Sequence, residues 1–381
     1  MKDFKIFACL YVFAIIVFLA HFIYVGRALF GDALYYYSYL PALIAGHTFN
    51  LANSFTHLGI TQPLSPTGLV ENIYPIGPSI FWAIPFIITN IITTLIGIHN
   101  PFSLYYQIII GIWDVSLLFL GLYFLFLSLK HFFTEKISLI TIFIIFLTTN
   151  LFFYGAVDVI NSHSISFFLS SLFLYLWLGK QSIKTAILLG ILVGCLAMVR
   201  SQDAIFIIFP FISLLKQRMK YLIQFLIICL AAFITFLPQV FVWHIIWGTW
   251  FVNPYLYRET FSFLHPQIMS VLLSKHNGLF LWTPILAFSL IGLIIFTYRK
   301  ITIGIPLFIF FILQVYIIAS WAIWWQGASY SGRMFISSIP SLSFGVATLL
   351  SIKSVFKLRY LLTFLFTGLN FMLIILFLLS T

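Results

Sequence analysis

Apolar side chains run through this sequence for twenty residues at a time. The first such run starts near Phe4 and reaches Val25, and comparable runs recur to the last residues. About 20 apolar residues make one helical span of a bilayer. In hydrocarbon only helices and closed barrels satisfy their own backbone. The dyad alternation of a barrel strand is missing, so the chain is expected to be an all-α polytopic membrane protein. With 62% hydrophobic and 7% charged residues, no water-soluble fold of this size hides its apolar surface. The first run exceeds the core of a signal peptide and reads as a retained span.

Twelve apolar stretches can be marked, and one of them, 79–98, decides the side of every later loop. If 79–98 returns to the face it came from and the N-terminus is cytoplasmic, 14 of the 19 Lys and Arg residues fall in cytoplasmic loops. If it crosses, the split becomes 6 inside and 13 outside. The positive-inside rule favours the first arrangement. The expected layout is therefore about 11 transmembrane helices plus one re-entrant or interfacial segment, 79–98, whose Pro85 and Asn90 suit a broken helix. The chain reads as a single domain, 1–381. Its long outer loops are 28–78, where 33–46 reads as an amphipathic helix at the interface, and 248–278.

The net charge of +11 does not point to nucleic acid, because the basic residues are scattered through short loops as topology signals. Cys9, Cys195 and Cys229 lie inside apolar runs with no pairing or metal spacing, so they are assigned to packing. The acids are one-sided in this layout. Asp32, Glu71, Asp158, Asp203 and Glu259 are outside, with Arg27, Arg200, Arg258, Lys275 and Arg333 and several histidines. Ionisable groups at membrane depth are costly and mark function, so the outer surface is the expected site. Asp32 follows Gly31 at the membrane boundary and is placed to take a proton; capping the helix it begins is the plain structural alternative. Asp114, within a span, is expected to find a structural partner.

These residues resemble, in order, the GT-C superfamily of membrane glycosyltransferases, which includes protein O-mannosyltransferases, lipid A aminoarabinose transferases and oligosaccharyltransferases. Gly31-Asp32 with Tyr35 and Tyr36 looks like the acidic motif of the first outer loop, and Tyr74-Pro75-Ile76-Gly77-Pro78 like the end of that loop. Asp158, with Asn161 and His163, falls where members place a second acid. Val199-Arg200-Ser201-Gln202-Asp203 resembles a basic turn between short spans. His276–Pro284 and Trp324–Arg333 resemble further segments of the superfamily.

The resemblance implies an enzyme of the glycosyltransferase class that moves a hexosyl or pentosyl group, with inversion, from a polyprenyl-phosphate sugar to an acceptor hydroxyl. The acceptor is a lipid, a glycan or a protein, and the reaction lies on the extracytoplasmic face of the plasma membrane. Asp32 is the implied base. Arg200, Arg333, Arg258, Lys275 and His276 are candidates for the donor phosphate, because a phosphate leaving group needs cations. Asp158, His163, Glu71, Tyr35, Tyr36, Trp324 and Trp325 are candidates for acceptor or sugar. Asp158 has three open roles: orienting the acceptor, sharing a magnesium or manganese ion with Asp32, or pairing with Arg200. That divalent cation is the one cofactor considered. Membrane lipids are partners in any case, and nucleic acid is not. Two other readings use the same surface: a transporter or flippase of lipid-linked sugars, and an O-antigen-type ligase or polymerase.

Overall fold

A computed structural model describes residues 2–217 and 219–380, the side chains of 2–4 and 216–220 apart. The described residues are helical and contain no β-strand, only the isolated bridges Leu64↔Val70 and Phe261↔Trp321. Helix α1 (Lys2–Val25) leads into a long loop, which carries α2 (Asp32–Leu40) and α3 (Ala52–Leu58). Then come α4 (Gly77–Leu95), α5 (Leu104–Lys130), α6 (Glu135–Thr148), α7 (Leu151–Ala156), α8 (Ser162–Leu178) and α9 (Ile183–Val199). A 3₁₀ turn, Ser201–Ile207, enters α10 (Ile208–Gln217), and α11 (Met219–Trp247) ends at the late loop. That loop holds α12 (Ile268–Leu273) and α13 (Leu279–Trp282), followed by α14 (Pro284–Arg299) and α15 (Ile301–Ser320). Another 3₁₀ turn, Arg333–Ser338, enters α16 (Ile339–Leu350), and α17 (Lys353–Ser380) closes the bundle.

Seven of the described helical segments are long and apolar enough to cross a membrane by length and composition, Gly77–Leu95 among them; four shorter apolar helices accompany them. The chain is thus an integral multi-pass membrane protein. Its peripheral helices turn large apolar side chains away from the bundle, as with Ile223 and Ile234, which are 65% and 55% exposed. Only hydrocarbon makes such a surface stable.

Lipid offers little apolar driving force between helices, so close backbone packing at small residues holds them together. A Cβ at Gly345 would lie 1.8 Å from the Ser289 carbonyl oxygen, and one at Gly292 2.1 Å from that of Gly345, so α14 and α16 meet backbone to backbone. Gly190 and Gly194 do the same for α9 against α11.

The stretch 33–46 is helical, with a π-helical turn, Pro41–Ala45, continuing α2. It is not an interfacial helix with one wet face: Ala33, Tyr36, Tyr37, Ser38, Tyr39 and Leu40 are all buried. Aromatic residues on every side of this helix pack inward because α3, α4 and the loop ends surround it. Helix α4 continues through Pro85 without a break. After α4 the chain touches the segment that carries α2 and α3: the Tyr37 hydroxyl donates to the Pro101 carbonyl at 2.5 Å and the His57 ring stacks on Phe102 at 4.6 Å. The Ala28 amide donates to Gln107 Oε1 at 2.8 Å, so α5 begins beside the end of α1.

Candidate active site

Three chain segments converge on one cavity of about 420 Å³. The first is the start of α2. Gly31 sits at φ 47°, a left-handed conformation that glycine adopts without steric cost, and the turn presents Asp32 to the cavity. The Asp32 side chain does not cap its helix. It pairs with Arg333 Nη1 at 2.9 Å and accepts from the Tyr74 hydroxyl at 3.1 Å.

The second and third segments are the 3₁₀ turns Ser201–Ile207 and Arg333–Ser338, with Arg200 just before the first and Arg333 at the head of the other. They are stitched together by the residues just after Arg200. Gln202 Nε2 donates to the Met334 carbonyl at 2.8 Å, and Asp203, fully buried, accepts from Ser337 at 2.7 Å, Ser166 at 2.6 Å and Gln314 at 3.2 Å. This network fixes the two guanidiniums relative to each other. Arg200 Nη1 contacts His163 Nδ1, and the His163 ring packs on Tyr154 at 4.4 Å.

Tyr36, His163, Asn253, Tyr255, Glu259 and Trp321 complete the polar wall. Burial pushes the Tyr36 phenol up to about 12, and Asp32 adds to the rise. Partial burial likewise raises Glu259, which accepts from Trp321 Nε1. The remaining wall is apolar, with Ile205, Phe261, Phe263, Ile317 and Ile318. Asp158 lies behind the cavity. Burial pushes its carboxyl up to about 7 against the pull of Arg333, with Asp32 adding to the rise, and its Oδ1 has no hydrogen-bond partner among the described residues. It does not pair with Arg200, whose guanidinium is turned to His163.

Other sequence candidates fall elsewhere. Arg258 forms an ion pair with Glu71, its Nε donating to Oε1 at 2.7 Å, and neither lines the cavity. Their bond links the first outer loop to the late one. Tyr35 stacks on Tyr74 at 4.5 Å and supports the wall from behind. Lys275 and His276 are exposed on the turn before α13. Trp324 and Trp325 pack edge to face, and the Trp325 carbonyl accepts from Asn277, while Trp321 is the tryptophan that reaches the cavity. Glu259, Tyr255 and Asn253 carried no assigned role in the sequence; an acid between aromatic residues in the late loop was the available signal. Asp114 is fully buried and accepts from Trp82 Nε1 at 2.9 Å, a structural bond between α4 and α5.

The same architecture is found in the archaeal oligosaccharyltransferase AglB from Archaeoglobus fulgidus, solved in complex with an inhibitory peptide and a dolichol-phosphate. The TM-score is 0.59 at 12% identity, over 99% of this chain and 55% of that one. The chain has a GT-C fold. A second structure of an Archaeoglobus fulgidus oligosaccharyltransferase, a complex with Zn and sulfate, aligns with a TM-score of 0.56 at 13% identity, over 95% and 52% of the two chains. The chain thus spans about half the length of these GT-C structures. No protein-family model and no curated protein sequence matches it.

Proposed function

We propose that this chain is a glycosyltransferase that moves a sugar from a polyprenyl-phosphate-linked donor to an acceptor hydroxyl, with Asp32 as general base. One observation carries the reading: a single cavity is lined by the Asp32 carboxylate, by Arg200 and Arg333 and by an apolar wall. Those are the needs of a lipid phosphate donor. The GT-C fold supports it, as does the dolichol-phosphate bound by one of the structural neighbours.

In this reaction an Asp32 oxygen takes the acceptor hydroxyl proton. The acceptor oxygen forms a bond to the anomeric carbon from one face, and the bond to the phosphate oxygen breaks on the other. The phosphate leaves with the electron pair, and the configuration inverts. The leaving anion needs no acid; Arg333 and Arg200 neutralise it with forked hydrogen bonds. The polyprenyl chain runs along Ile205, Phe263, Ile317 and Ile318. Tyr36, His163 and Glu259 offer hydrogen bonds to sugar or acceptor hydroxyls, and Trp321 offers a ring face.

Among the described residues no group of three His, Cys, Asp or Glu side chains could hold a metal. A hard cation bound through one or two carboxylates and the substrate phosphate needs fewer; Asp32 in the cavity and Asp158 behind it are the carboxylates that would hold one. Such an ion would supply charge neutralisation to the phosphate. On the same reading 79–98 is a partial span that returns to the outer face, the N-terminus is cytoplasmic and the cavity opens outside.

Incubation of the purified protein with a panel of polyprenyl-phosphate sugars tests the proposal. Wild type should release lipid phosphate from one donor, and Asp32→Asn should do so slower by on the order of 10²–10⁴-fold. Equal turnover by both proteins removes Asp32 as the base.

A further inference from the structure

At the end of the bundle remote from Asp32, a second cavity of about 660 Å³ lies between the start of α1, helix α6 and the first half of α17. Leu139, Phe143, Leu147, Phe364 and Phe371 wall it. It follows α17 from Arg359 to Phe371, a rise of about 18 Å, which is close to the depth of one bilayer leaflet. At the far end of the groove α17 is pinned by Asn370, which donates to the Leu147 and Thr149 carbonyls at 2.9 and 3.0 Å. Below that pin α6 and α17 part and leave the groove open.

The mouth of the groove is basic. The Arg359 guanidinium lies 4.0 Å from the Phe356 ring centroid and 4.2 Å from that of Tyr360, and Nη1 donates to the Phe356 carbonyl at 2.6 Å. Lys136 Nζ lies 5.4 Å from the same Phe356 ring centroid. Lys353 and Lys357 are exposed on the same turns of α17. The nearby Glu135 is engaged by Lys130 at 2.9 Å. Two buried polar atoms on the groove wall, Arg359 Nε and Thr367 Oγ1, have no hydrogen-bond partner among the described residues. A greasy slot one leaflet deep, with a held guanidinium and a lysine at its mouth, matches a chain ending in an anionic phosphate.

We propose that the groove between α1, α6 and α17 binds one acyl chain of an anionic diacyl phospholipid whose phosphate is held by Arg359. The depth favours an acyl chain over a polyprenyl chain, which is longer than one leaflet.

Native mass spectrometry of the full chain in detergent tests this, with dioleoyl phosphatidylglycerol, dioleoyl phosphatidylcholine and undecaprenyl phosphate as probes. One phosphatidylglycerol per chain should be retained in preference to the other two. Arg359→Gln should weaken that retention about tenfold, the loss expected for one charge-assisted contact. Gly368 lines the groove, and a Cβ there meets nothing within 4 Å. Gly368→Phe should therefore fill the slot and abolish retention while the melting temperature stays at the wild-type value. Equal retention of the two phospholipids overturns the proposal, as does preference for undecaprenyl phosphate. Loss in only one of the two variants also overturns it, because head and chain must share one site.

Discussion

Asp32 and Arg333 stand 2.9 Å apart with side chains 29% and 19% exposed, so each shields the other from water only in part. Behind them, burial raises the carboxyl of Asp158. Its pKa of about 7 lies above the model-peptide value of 3.8, so the folded chain binds this proton more tightly than the unfolded chain does. The resulting stabilisation is complete below about pH 4, declines as pH rises and is gone above about pH 7. Asp158→Asn keeps the shape without the titration. In detergent, the melting temperature of wild type should therefore fall relative to that variant as pH is raised through this window, and parallel curves would refute the assignment. Asp32 and Arg200 were legible in the sequence because a charge beside a span end is costly and so conspicuous. Glu71 and Arg258 were not separable from them: they look the same in sequence, and only their pairing across 187 positions takes them out of the cavity. The tryptophans show the same limit at finer grain. Trp321, Trp324 and Trp325 share one boundary, and the turn after α15 alone decides which ring faces inward.

Helix lengths followed directly from the apolar runs, but helix contacts did not. Glycines of identical appearance line α9, α14 and α16, and the structure reveals which seam each one serves. The Gly345 contact is the tightest, since the atom a Cβ would meet belongs to the Ser289 backbone and cannot swing away. Gly345→Ala should destabilise the protein by about 1–3 kcal/mol, seen as a lower melting temperature. Gly368→Ala, at an open position on α17, serves as the control; equal melting of the two variants would show that the α14–α16 seam is not close-packed. The burial of α2 was hidden for a different reason. Tyrosines with exposed-looking spacing are readily enclosed when their hydroxyls find partners, as Tyr37 and Tyr39 do at the Pro101 and Tyr74 carbonyls.

For the molecule as a whole, charge counting across loops is what proposes a side for each loop, because orientation is a property of the entire chain and not of any one helix. The proposed layout puts the turn between α5 and α6 in the cytoplasm. A cysteine replacing Thr134 should react with an impermeant maleimide only after the cells are opened; labelling of intact cells would reverse the orientation of every later loop. The Asp32–Arg333 pair also has a consequence for how the natural donor can be found. In the resting protein the guanidinium is occupied by the carboxylate, so an arriving lipid phosphate must compete for it. Asp32→Asn removes the competitor and the base together, leaving a protein that grips its donor harder and cannot discharge it. Purified from its own membranes, that variant should carry the donor with it, and mass spectrometry of the extracted lipid would then read out both sugar and carrier; an extract no richer in glycosylated lipid phosphate than wild type would deny Arg333 its part in the grip.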